Sequence, residues 1–201
     1  MCNLFENKTT FRELVDAFAN WKLPVVKPAP QSAPNLQSLD AVRPTDEAPV
    51  IRAFEDGVEL TSLRWGFVPE RANAGPITNF RSEGRRFGAA SRCLIPATAF
   101  FEFTGAKYPK TRWRFTETEQ PWFCLAGLWR DDRFTLLTTE PGPDMAPYHD
   151  RQVVLLPRRQ WSDWLEGAPE ADLLRAGPAG SLGVVKDSPG REVSLPLFAA
   201  L

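Results

Sequence analysis

Nineteen prolines in 201 residues constrain this chain more than any other feature of its sequence. Proline fixes φ and removes a backbone donor, and this content is about twice the usual ~5%, so a bundle of long helices is excluded. Between the prolines lie short runs rich in β-branched and aromatic residues. Residues 49–54, 58–68, 76–80, 93–103, 113–116, 122–129, 134–139 and 152–156 read as strands, with Asp56-Gly57 a hairpin signal and Asp131-Asp132 a turn. Residues 1–5 read as a short extended segment, 22–49 as a long loop, and 184–185 and 195–198 as late strands. Helix signals are few. Thr9 or Thr10 caps a helix that places Phe11, Leu14, Val15 and Phe18 on one face. Ser162 caps a short turn near Trp164 and Leu165, and residues 169–175 form another. The expected fold class is α+β: a single β-rich domain over residues 1–201, of mostly antiparallel strands with a few short helices and no repeats.

Composition narrows the functional classes. No apolar run approaches the ~20 residues that cross a bilayer, and the N-terminus MCNLFENKTT has neither the basic start nor the apolar stretch of a secretory signal. Three cysteines without a close pair exclude a self-contained disulfide framework and a CxxC zinc knuckle. A reduced, cytoplasmic protein is expected. Net charge is −1, yet residues 64–93 carry Arg64, Arg71, Arg81, Arg85, Arg86 and Arg92 against Glu70 and Glu83, a local balance of +4. Such an island suits a local phosphate contact. The competing reading is a solvated face with its own ion pairs.

Four places carry candidate chemistry. Removal of Met1 exposes at Cys2 an α-amine and a thiol on one residue. The amine condenses with an aldehyde to an imine, and the thiol closes onto the imine carbon to give a thiazolidine; reference pKa values of about 7.7–8.0 and about 8.5 leave both groups reactive near neutrality. A chance cysteine in a frayed terminus is the bland alternative. His149 is the only histidine, in the polar stretch before Val153, and suits proton transfer, although a lone histidine is more often structural. Glu102 stands among Phe100, Phe101 and Phe103; alternation puts Phe101 and Phe103 on one face and Glu102 with Phe100 on the other, where desolvation raises a carboxyl into the general acid–base range. Asn79 and Arg81 alternate onto one side of an extended segment, one to position a terminal amine and the other to grip a phosphate, while Glu83 is equally placed to pair with Arg81.

The ordered set of these pieces resembles the SOS response-associated peptidase (SRAP) family. It comprises Met1-Cys2-Asn3; Pro49-Val50-Ile51; Arg64-Trp65-Gly66-Phe67-Val68-Pro69; Asn79-Phe80-Arg81-Ser82-Glu83; Arg92-Cys93-Leu94-Ile95-Pro96-Ala97 running into Phe101-Glu102; Ala126-Gly127-Leu128-Trp129; Thr138-Thr139; and His149 with Arg151. The resemblance implies a barrel-like β-rich fold that senses and shields abasic sites in single-stranded DNA. The mature Cys2 would form the covalent crosslink after autocatalytic loss of Met1, a lyase-like and autopeptidase activity. It further implies that Asn79 orients the amine, Glu102 moves protons during ring opening, and His149 serves the sugar hydroxyl or reversal. Trp65 would stack beside unpaired bases, with Arg81, Arg85, Arg86 and Phe103 also on the DNA. No cofactor or metal is called for, and a monomer, nucleoid-associated when bound to DNA, is expected. Leu4 stands where many members carry arginine, Phe80 replaces a small residue, Phe103 replaces tryptophan, and Arg151-Gln152-Val153 replaces Arg-Met-Pro. Two rivals remain: a Cys–His hydrolase acting in trans, and a non-covalent single-strand binder.

Overall fold

The computed structural model describes residues 2–19, 26–28, 38–54, 57–106 and 109–187. Its elements begin with β1 (Phe5–Asn7), α1 (Phe11–Phe18), β2 (Val26–Pro28), β3 (Leu39–Val42), β4 (Glu47–Phe54), β5 (Gly57–Trp65) and β6 (Asn79–Arg81). There follow β7 (Arg92–Ala97), β8 (Ala99–Thr104), β9 (Thr111–Glu117), β10 (Phe123–Arg130), β11 (Arg133–Thr139), β12 (Gln152–Val153) and β13 (Leu155–Leu156). Two short helices, α2 (Trp161–Glu166) and α3 (Glu170–Leu173), precede β14 (Leu182–Lys186).

Strands β5, β4, β7, β10 and β11 pair in that order, each antiparallel to the next. β11 then returns to β5 in parallel register at Phe134–Trp65, so the larger sheet closes into a barrel-like ring. A second sheet, in the order β14-β9-β8-β1-β3, is antiparallel throughout. Side-chain alternation gives the ring two apolar faces. On one, Ile51, Leu60, Leu94, Leu128 and Leu137 pack with Leu14 and Phe18 of α1 and with Trp161 and Trp164 of α2. On the other, Val50, Leu63, Trp65, Ile95, Leu125 and Leu136 meet Phe5, Phe100 and Phe115 of the second sheet.

The expected α+β, mostly antiparallel fold is the observed one, with local differences. α1 is capped by Thr10, whose Oγ1 accepts the Glu13 N–H at 3.2 Å while the Glu13 carboxylate accepts the Thr10 N–H at 2.7 Å. The 22–49 stretch is no single loop: it holds β2 and β3 and the start of β4, because β1 and β5 lend it ladder partners that its composition does not advertise. The 93–103 run is broken at Thr98, whose N–H donates to the Glu6 carbonyl at 2.8 Å, so β7 and β8 enter different sheets. The 58–68 run ends at Trp65, since Gly66 has φ +110 and a Cβ there would lie 2.7 Å from the Pro76 Cβ. Ser162 is not a cap. α2 starts at Trp161 without a side-chain cap, docks through Trp164 Nε1–H donating to the Cys93 carbonyl (2.9 Å), and stops at Gly167 in the left-handed region. The 195–198 segment and the Asp56 half of the hairpin turn lie outside the described residues, although Phe54 faces Gly57 as a tight hairpin requires.

Candidate active site

Cys2 is buried at the start of the second sheet. Its thiol donates to the Leu4 carbonyl at 3.3 Å, and the same oxygen accepts the Phe101 N–H at 3.0 Å, which fastens the N-terminal segment to β8. Asn79 approaches from β6. Its Nδ2 donates to the Cys2 carbonyl at 2.8 Å and to Thr78 Oγ1 at 3.1 Å, while its Oδ1 is buried without a hydrogen-bond partner among the described residues. Buried amide oxygens are rarely left orphaned. Burial, reinforced by the charge of Glu102, pushes the Cys2 thiol up to about 12.

Glu102 comes from β8, on the face alternation predicts. Phe101 and Phe103 pack with Leu4 and Ala99, whereas Phe100 joins the cluster that holds Cys2. The carboxyl is 4% exposed, and desolvation raises it from an ordinary 4.5 to about 7, with Asp150 pushing in the same direction. Near neutrality it is therefore shared between its two protonation states. Opposite it on β9 is Trp113, against which Tyr148 packs with ring centroids 4.7 Å apart. Tyr148 brings in His149. The His149 Nδ1 accepts the Arg151 N–H at 2.9 Å and also lies 2.8 Å from Asp150 Oδ1, a contact that needs a proton on the same nitrogen. Burial lowers the His149 pKa, and the Asp150 side chain is 88% exposed and screened. The neutral ring, with its proton on Nε2, is the state this geometry favours.

Arg151 is buried behind His149. Its guanidinium donates to both Glu83 oxygens at 2.6 and 2.9 Å and to the Thr138 carbonyl at 2.8 Å. This clamps the turn after β6 onto β11, and it holds the Glu83 carboxyl below its ordinary range. Glu83 thus pairs with Arg151 rather than with Arg81.

The structure brings Cys2, Asn79, Glu102 and the His149 segment together, with the exposed Arg81 alternating onto the same side of β6 as Asn79. Phe103 borders a hollow of about 450 Å³ that starts at Asn3 and Leu4 and is lined also by Arg43, Pro44, Lys110 and Arg112. Arg112 is tied to Asp187 at 3.0 Å. These cations escaped sequence reasoning because two separated segments contribute them, one at Arg43 and one at Lys110 and Arg112, neither with a local motif. Trp65 requires a correction. It is 0% exposed, its Nε1–H donates to the Thr78 carbonyl at 2.9 Å, and it packs between Phe5 and Phe134, so it cannot stack on a base. Its work is to fix the backbone just before Asn79. Arg85 and Arg86 are exposed but stand apart, since the Arg85 guanidinium lies 4.5 Å over the ring of Phe80, which points away from Asn79.

The family model described as SOS response associated peptidase (SRAP) matches residues 1–184. The chain belongs to the SRAP family. SRAP relatives include the abasic site processing protein YoaM of Bacillus subtilis (strain 168), 28% identical over 188 residues that span 82% of this chain and 79% of the relative. The abasic site processing protein YoqW of Bacillus phage SPbeta is 28% identical over 189 residues, 82% of this chain and 80% of its own. A crystal structure of a Bordetella bronchiseptica protein superposes with a TM-score of 0.72 at 23% identity, covering 94% of this chain and 100% of that one. One from Bacteroides thetaiotaomicron does so at 0.71 and 17% identity, covering 92% and 91%. Among the described residues no helix is long and apolar enough to cross a membrane, and no group of three or more His, Cys, Asp and Glu side chains is placed to hold a metal ion.

Proposed function

We propose that this SRAP protein processes abasic sites in single-stranded DNA by a covalent bond from mature Cys2. The carrying observation is the Asn79 clamp on the Cys2 carbonyl beside a buried carboxyl balanced near neutrality. Hydrolysis of the Met1–Cys2 bond, which these same groups serve, frees the α-amine. That nitrogen attacks the aldehyde carbon of the ring-opened deoxyribose, and loss of water gives an imine. The Cys2 sulfur then adds to the imine carbon, its proton passes to the nitrogen, and a thiazolidine closes, so water is the only by-product. The orphan Oδ1 of Asn79 is the acceptor for the freed amine. Glu102 carries the protons for ring opening and dehydration, and the Nε2–H of His149 serves the sugar hydroxyl. Arg81, and Phe103 with Arg43 and Lys110 in the adjoining hollow, hold the flanking phosphates and bases.

A conventional Cys–His hydrolase requires a thiolate near neutrality, which a thiol raised to about 12 does not supply. A purely non-covalent binder would use Trp65 and the arginine island; Trp65 is buried and Arg92 is tied to Glu170, so that reading keeps only the island's exposed arginines. The deciding experiment incubates Met1-processed protein with an abasic single-stranded oligonucleotide and measures intact mass. A heat-stable adduct of protein plus oligonucleotide minus water is expected, and it should be absent from Cys2→Ala and from protein that retains Met1. An adduct formed with the amine blocked refutes the proposal.

A further inference from the structure

A second hollow, of about 850 Å³, lies elsewhere. β6 pairs only with β11 among the described residues, and it turns Asn79 and Arg81 one way and Phe80 the other. Phe80 and Phe87 pack with the helix-covered face, in edge contact 6.2 Å apart, and the hollow opens there between residues 82–87 and α3. Its wall includes Phe87, Pro169, Ala171 and Leu174, with Arg85 and Arg86 exposed beside them.

The other polar side chains in the wall are already committed. Glu83 holds Arg151. Glu170 accepts from Arg92 and from the Phe87 N–H, each at 2.7 Å. Arg92 is 2% exposed and donates in addition to the carbonyls of Phe87, Trp164 and Ala168. Ser82 donates to the Thr138 carbonyl at 2.9 Å. An apolar floor with two arginines at its rim therefore remains, and among the described residues of the wall no uncommitted amide or hydroxyl side chain stands beside them to read the edge of a nucleobase. The size falls within the range of ordinary ligand pockets of ~300–1,000 Å³. From this charge complementarity we infer that the hollow docks an acidic peptide segment of a partner protein, an apolar side chain seated on Phe87 and Leu174 and its carboxylates on Arg85 and Arg86. The surface lies on the opposite side of β6 from Cys2, so peptide and DNA strand need not compete.

The test uses the full chain and fluorescence anisotropy with a fluorescein-labelled hexapeptide of four acidic residues followed by leucine and phenylalanine. Binding is expected; replacing the acids by lysine or the last two residues by alanine should each weaken it about tenfold or more. Arg85→Glu with Arg86→Glu should abolish it, and Arg85→Gln with Arg86→Gln should weaken it, while both variants unfold cooperatively in urea with midpoints lowered only by the lost Arg85–Phe80 contact. No binding, or binding indifferent to both double variants, overturns the inference. So does a short oligothymidylate that depends on the same arginines and displaces the peptide, which would assign the hollow to nucleic acid. None of these readouts involves Cys2, so failure of the crosslinking reading leaves this one standing.

Discussion

Replacing Glu102 by glutamine separates stability from activity in a way few substitutions do. The carboxyl is nearly isosteric with the amide, and its folded-state pKa is raised from 4.5 to about 7 by burial. Between those values the folded protein keeps a proton that the unfolded chain releases, so wild-type stability falls as pH rises through this window and levels off above it, with the group's contribution fully lost. At about 1.4 kcal/mol per pH unit the loss amounts to about 3 kcal/mol. Glutamine does not titrate. Urea unfolding of wild type and Glu102→Gln should therefore coincide near pH 4.5 and diverge until the variant is the more stable by about 3 kcal/mol at pH 8. On the proposed chemistry the same variant should form adduct on the order of 10² or more times slower at pH 7. A damaged fold would lower both quantities, so gain in one and loss in the other is diagnostic. A stability difference flat across this pH range would mean the carboxyl is solvated, and the argument for its role would fail.

Asn79→Ala removes the 2.8 Å hydrogen bond to the Cys2 carbonyl and should cost only about 1 kcal/mol of stability, while adduct formation slows on the order of tenfold or more; an unchanged rate would show that Cys2 needs no such positioning. Trp65→Phe keeps an aromatic ring between Phe5 and Phe134 but removes one of the two hydrogen bonds on the Thr78 carbonyl, which still accepts the Leu136 N–H at 3.0 Å, so a loss of about 1 kcal/mol in urea unfolding is expected with affinity for undamaged single strands unaltered. Weakened binding without loss of stability would restore the base-stacking role that burial denies it.

The contrast between Glu102 and Trp65 marks what the sequence revealed. Glu102 was legible because strand alternation is local: three phenylalanines around one acid already fix which faces are apolar, and the structure adds only the partner sheet that closes over it. The Asn79–Arg81 alternation was legible for the same reason. Trp65 was not, since whether an aromatic on a strand meets solvent or a second layer depends on β1 and β11, which arrive from distant parts of the chain. The split of the arginine island has the same origin. Six arginines read as one patch along the chain, but β6 divides them, and Arg92 is a buried structural cation bound to Glu170. The Glu83–Arg151 clamp, 68 residues apart in sequence, left no local signal.

Burial acts on both ionisable groups beside Asn79 in one sense, and this sets the order of the proposed reaction. A thiol raised to about 12 and a carboxyl raised to about 7 both resist negative charge, and each would raise the other further if ionised. A mechanism that begins with thiolate attack must create charge where the environment most opposes it. One that begins with the amine does not: condensation with the aldehyde passes through neutral and cationic nitrogen, which a nearby carboxylate stabilises. The sulfur acts only once an iminium carbon stands before it, when its proton can leave as the bond forms. The buried site thus disfavours cysteine in its common role as an anion and favours it as a neutral trap for an imine made on its own residue.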